Sequence, residues 1–227
     1  MDELLAPFAD PQMAARYSDG PRRLVPGFDA LHQMTSLLLA ECAPDTARVL
    51  VLGAGGGLEL RMLATAHDRW TFVGVDPAQA MLDQAERTLG PLMERIGLHC
   101  GYIDDAPAGP FDAATCLLTL HFLAPEERRR TLAELHGRLK PGAPFVVAHS
   151  SFPQRGDARR TWLSRYAAFG VASGVDPSQA DAMRERVDRS LHMLEPEMDE
   201  AILREAGFRD VQLFYAAFSW RGWVAYA

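Results

Sequence analysis

Four residues between positions 53 and 76 have the types and spacing to hold a nucleoside. Gly53, Gly55 and Gly57 stand in VLVLGAGGGLEL, between an apolar β-branched run and a helical pattern. Glycine lets the backbone turn sharply and approach a ligand, and the helix start beyond it offers unpaired N–H donors. Asp76 closes the next apolar run, 23 residues past Gly53. A carboxylate there can accept from both hydroxyls of a ribose. Ala54, Pro77 and Met81 sit beside these positions and complete a candidate cofactor cradle. The dinucleotide pattern G-x-G-x-x-G would need a small residue at Leu58, so the G-x-G-x-G spacing disfavours a nicotinamide oxidoreductase.

Proton transfer has two candidates. In open α/β sheets ligands bind at the carboxyl ends of the strands. His121 lies just past the fourth strand-like run and His149 at the end of the fifth. Histidine titrates in the range a general base needs. The competing reading is that His121 packs against the helix starting near Pro125. Further on, Arg159, Trp162 and Tyr166 share one helical face, and arginine beside aromatics can clamp an anionic or planar substrate. Such a stripe also serves as a core-facing helix edge or a dimer contact.

These residues need a frame, and the chain supplies alternating strands and helices, the pattern of βαβ units around a parallel sheet. The predicted strands are Arg48–Leu52, Thr71–Val75, Leu98–Tyr102, Ala113–Leu118 and Pro144–Ser150. A tight turn joins two closing strands in DVQLFYAAF and WRGWVAYA. Helical spacing runs from Phe28 to Cys42, and Asp76-Pro77 suits a helix start with Pro77 at its first position. Pro125 with Glu126 and Glu127 opens another helix, ended by Lys140-Pro141-Gly142. The rhythm breaks over 154–195, where two helices without a strand form an inserted cap; residues 1–42 form an N-terminal lid and helix. All 227 residues are read as one domain.

Bulk properties bound the function. Apolar residues make up 48% of the chain, enough for a full α/β core. A net charge of −7 without a basic stripe speaks against nucleic acid as a partner. Cys42, Cys100 and Cys116 are scattered with no metal-ligand spacing, so no metal is expected and free thiols in a reducing compartment are. No apolar run is long enough to span a membrane, and the expected location is the cytoplasm.

VLGAGGG, VGVDPAQAML, GPFDAATCLLTLHFL, RLKPGAPFVV and LREAGF occur in the order of class I S-adenosylmethionine-dependent methyltransferases, and the chain resembles that superfamily over nearly its whole length. The resemblance implies a Rossmann-like sheet of seven strands, mostly parallel with an antiparallel last strand and helices on both faces. It also implies S-adenosylmethionine as cofactor, S-adenosylhomocysteine as product, and a small-molecule acceptor. Tyr17, Asp19, Arg23 and VPGF, with LTLHFLAPEERR and FSWRGWVA, are similar to the carboxy-S-adenosylmethionine synthase group.

That likeness implies that Tyr17 and Phe28 close over the cofactor and that Leu117 touches it at a strand end. Ile202 stands where the group has the arginine that holds its product's extra carboxylate. Tyr102 replaces the usual acid after the third strand, which moves adenine contact to Asp104 or to the backbone of Ile103. The expected activity is methyl transfer. The alternatives are a carboxy-S-adenosylmethionine synthase-like enzyme or a cofactor-binding protein without catalysis. Dimerisation through the cap is expected by analogy.

Overall fold

The computed structural model describes residues 8–16 and 20–227. Seven strands form one sheet: β1 (Arg48–Leu52), β2 (Thr71–Asp76), β3 (Ile96–Cys100), β4 (Ala113–Leu117), β5 (Pro144–Ser150), β6 (Arg209–Ala217) and β7 (Trp220–Tyr226). Their spatial order is β3-β2-β1-β4-β5-β7-β6. The pairs from β3 to β5 are parallel, and β7 is antiparallel to both β5 and β6. The closing hairpin expected from the C-terminal sequence is this β6–β7 pair. Order reverses between β1 and β4, and their carboxyl ends open a crevice there.

The central strands are unbroken apolar runs because helices cover both of their faces. Val49 and Val51 of β1 point into one core with Phe72, Leu60 and Leu63, while Leu50 and Leu52 point into the other with Val75, Leu132 and Leu135. The covering helices are α3 (Phe28–Ala40), α4 (Leu58–Ala66), α5 (Gln79–Leu89), α6 (Pro125–His136) and α9 (Pro196–Glu205), preceded by the short α1 (Pro11–Arg16) and α2 (Gly20–Leu24). The expected cap consists of α7 (Ala158–Ala172) and α8 (Pro177–Ser190), packed on each other.

Among the boundaries that differ from expectation, two bear on the site. The third strand ends at Cys100, before Tyr102, because Gly101 adopts φ 151° and Asp105 accepts the Tyr102 N–H at 2.9 Å, turning the chain. Helix α5 begins at Gln79 and not at Pro77. The Asp76 Oδ1 accepts the Ala78 N–H at 2.9 Å, which keeps Pro77 in a turn ahead of the helix. Among the described residues, no helix is long and apolar enough to cross a membrane, and no group of three His, Cys, Asp or Glu side chains could hold a metal.

Candidate active site

The glycine loop is built by close packing. Gly53, Gly55 and Gly57 have φ of 80°, 50° and 80°, in the left-handed region. A methyl group on Gly53 would stand 2.0 Å from the Thr119 hydroxyl, so the β1 and β4 loops could not approach as they do. On Gly57 it would stand 3.0 Å from the Ala85 backbone, so this glycine seats α5 beside α4. The loop's own N–H groups are largely committed. Gly53 and Ala54 donate to the Val75 carbonyl at 2.8 and 3.0 Å, and Gly57 to that of Ala54 at 3.0 Å.

Asp76 sits at the hinge of the crevice. Its Oδ2 accepts the Gly55 N–H and its Oδ1 the Ala78 N–H, both at 2.9 Å. Burial raises its pKa, and the two donated N–H groups work against that rise. Each oxygen keeps a lone pair for a ligand hydroxyl.

A cleft opens over these groups. Its floor is Leu52, Gly53, Gly55, Val75 and Asp76, with Pro77, Ala78 and Met81 on one side. Gly101, Tyr102 and Ile103 close the β3 end. The far wall is Leu117, Leu118, Thr119, Phe122, Leu123 and Thr131. Phe8 covers the top and meets Phe122 edge to face, ring centroids 5.6 Å apart.

Gly53, Gly55, Asp76, Pro77, Met81, Tyr102, Ile103 and Leu117 therefore converge as expected. Other expected residues do not line this cleft. Ala54 is buried with its N–H spent on Val75, and Gly57 acts in packing. Asp104 faces solvent and is bonded through both oxygens to Arg130 at 2.7 Å, which holds its carboxyl low. Phe28 is buried against His32, centroids 4.3 Å apart, and borders a separate surface pocket with Leu58 and Arg61. Tyr17 lies outside the described residues.

Neither histidine lines the cleft, and both are buried. His121 Nδ1 accepts the Ser150 N–H at 3.3 Å, and its ring packs on Phe122 and Trp220. Burial pushes its pKa well below the usual value. His149 Nε2 lies 3.1 Å from Asp199 Oδ2, and burial lowers its pKa despite that carboxylate. Asp199 also pairs with Arg128, all three side chains being essentially inaccessible to solvent. Arg128 Nη2 donates to the His192 carbonyl at 2.6 Å, and the His192 N–H to the His121 carbonyl at 2.9 Å. The charged network thus ties the cap's end to the segment that forms the cleft wall.

The cap stripe is structural as well. Arg159 is held by Asp188 Oδ1 at 2.6 Å and the Asp188 carbonyl at 2.8 Å, joining α7 to the end of α8. Tyr166 is buried near Trp220, and burial raises its pKa to about 12. Trp162 carries the guanidinium groups of Arg165 and Arg221 at 4.5 and 5.5 Å from its ring centre. Sequence reasoning missed Phe8, Leu118, Thr119, Phe122, Leu123 and Thr131. LTLHFL was the available signal, since residues just past β4 must face the crevice.

A family model described as a methyltransferase domain matches residues 49–142, from β1 through the turn after α6. The carboxy-S-adenosyl-L-methionine synthase of Chromohalobacter salexigens is 28% identical over 223 residues, covering 96% of this chain and 82% of that protein. The matched segment holds the glycine loop and Asp76. The chain's fold is shared by an O-methyltransferase family protein from Burkholderia thailandensis, with TM-score 0.69, 19% identity and 96% of this chain covered. Human N-acetylserotonin methyltransferase in complex with S-adenosylmethionine has TM-score 0.64 and 16% identity, with 98% covered. The chain spans only about three-fifths of those two structures, 61% and 58%.

The similarity to methyltransferases implies S-adenosylmethionine as cofactor, and the residues present fit it. Gly53 and Gly55 put bare backbone on the cleft lining, and Asp76 lines it beside them with lone pairs free for ribose hydroxyls. Ile202 is fully buried in the core under β5 with Leu203 and Phe208, away from the cleft lining.

Proposed function

We propose that this protein transfers the methyl group of S-adenosylmethionine to a small-molecule acceptor. The observation that carries the reading is Asp76, fixed by the Gly55 and Ala78 N–H groups in the cleft at the strand ends. The cofactor supplies an electrophilic methyl group on a sulfonium. The chain's part is to bind, orient and keep water out. Asp76 takes the ribose hydroxyls, Met81 and Ile103 flank the adenine with Tyr102 at its edge, and Phe8 with Phe122 shields the cleft from solvent. Incubation with methyl-labelled S-adenosylmethionine and a panel of small acceptors tests the reading. Labelled product and S-adenosylhomocysteine should appear together.

The second reading, a carboxy-S-adenosylmethionine synthase, draws on the names of the curated relatives. Ile202 argues against it, since a buried aliphatic side chain cannot neutralise a carboxylate. Mass spectrometry of the nucleoside that copurifies with the protein distinguishes the two. The thiols Cys42, Cys100 and Cys116 are all free, which supports a reducing cytoplasmic location. A homodimer through the cap side is supported by exposed Val171 and Phe218, beside the Phe169–Phe218 ring contact. The acidic net charge supports small molecules over nucleic acid as substrates.

A further inference from the structure

Glu59 is a buried carboxyl in the first turn of α4, two residues past Gly57. Its side chain turns inward to Thr115 of β4. The Thr115 hydroxyl faces it and favours the ionised form, yet neither Glu59 Oε1 nor Thr115 Oγ1 completes a hydrogen bond. Among the described residues, no cation, histidine or second carboxylate from α3, α5 or the sheet acts on it. The Cys116 thiol feels its charge and is itself held protonated by burial.

The strand register places this carboxyl just beneath the cleft. Thr115 pairs with Val51 of β1. Two positions further along these strands stand Leu117 and Gly53, and both line the cleft. Two strand residues span about 7 Å. At an effective dielectric of about 20, unit charges as far as about 12 Å apart still change a binding constant about ten-fold.

From this placement we propose that Glu59 determines cofactor specificity, favouring positively charged S-adenosylmethionine over neutral S-adenosylhomocysteine. The inference rests on the methyltransferase reading above and assigns a residue beneath the same cleft. The two nucleosides differ by one methyl group and one positive charge. An ionised Glu59 attracts the sulfonium, and that attraction ends when the methyl group leaves, which speeds exchange of the spent cofactor. A protonated Glu59 gives no such preference. Burial raises its pKa to about 7, so the preference is absent in mild acid and complete in mild base. By linkage, S-adenosylmethionine expels a proton from Glu59 to solvent on binding, and S-adenosylhomocysteine does not.

Calorimetry on the full chain with each nucleoside tests this. For a ten-fold coupling, the preference for S-adenosylmethionine should rise about eight-fold between about pH 5.5 and about pH 8.5. Glu59→Gln keeps the shape without the charge and should lose that rise. Titration of the ligands' own amino groups occurs with both proteins and cancels in the comparison. Repeating the wild-type titrations in buffers of different ionisation enthalpy counts protons and needs no variant. Near pH 6.5, S-adenosylmethionine should release about half a proton more than S-adenosylhomocysteine. If Glu59→Gln does not fold, this proton count decides. The same pH dependence for both ligands, an undiminished rise in Glu59→Gln, or equal proton release while both bind would each overturn the inference. Failure to bind either nucleoside would overturn the methyltransferase reading and this inference with it.

Discussion

The Gly55 N–H donates to Asp76 Oδ2 at 2.9 Å, so the glycine loop and the Asp76 carboxylate are set by one another. Twenty-one residues separate them in the chain. The link spans the β1 and β2 ends and fixes the carboxylate before any ligand arrives, so little ordering is left to be done on binding.

Gly53→Ala should damage both folding and binding. Alanine is strained at φ 80°, and its methyl would collide with Thr119 Oγ1 at 2.0 Å. Thermal unfolding should show a loss above about 1 kcal/mol. Adding Thr119→Gly removes the collision but not the strain, so it should restore only part of the stability.

The Arg128–Asp199–His149 network makes a prediction about pairs. Asp199→Leu leaves a buried guanidinium without its carboxylate and should cost about 3–5 kcal/mol in urea unfolding. Arg128→Met with Asp199→Leu should cost clearly less than Asp199→Leu alone, because no orphan charge remains. An additive double variant would show that the network's value lies elsewhere.

Glu59 gives a pH signature. It is fully buried at the start of α4, its Oε1 has no hydrogen-bond partner, and desolvation raises its pKa from 4.5 to about 7. A raised carboxyl favours the folded state while protonated, so its contribution is fully present below pH 4.5 and is lost as pH rises through about 7. Glu59→Gln should therefore stabilise the protein at pH 8, by up to about 3 kcal/mol for a rise of that size. The gain should shrink to nothing near pH 4.5. Denaturant curves at both pH values measure it.

His121 makes a contrasting prediction, since its pKa is pushed well down by burial. It stays neutral in the fold and protonates when unfolded, so stability holds above about pH 6.5 and falls as pH drops below it. His121→Asn, which keeps an acceptor for the Ser150 N–H, should flatten that fall. It should also leave S-adenosylhomocysteine affinity within about three-fold, or roughly 0.6 kcal/mol. A large loss of affinity would return His121 to the cleft.

The legible parts of the molecule were those written locally. The strand Arg48–Leu52, the three glycines and Asp76 are contiguous signals with one physical meaning, and the sheet followed from their alternation with helices. Phe28 does not line the cleft because an aromatic at the first position of a helix says nothing of which face of α3 it packs on; His32 four residues on decides that. His149 and Arg159 read as chemistry because their partners, Asp199 and Asp188, stand 50 and 29 residues away. Phe8 was invisible for the same reason, since only the fold brings it to Phe122.

The central claim is that Asp76 holds the ribose of S-adenosylmethionine in the Gly53–Gly57 cleft, and calorimetry with S-adenosylhomocysteine tests it most directly. The wild-type chain should bind one equivalent in the micromolar range. Asp76→Ala removes two charge-assisted hydrogen bonds of about 1.5 kcal/mol or more each, so it should weaken binding at least about 100-fold. Wild-type protein that does not bind, or an Asp76→Ala variant that binds as tightly as wild type, would contradict it.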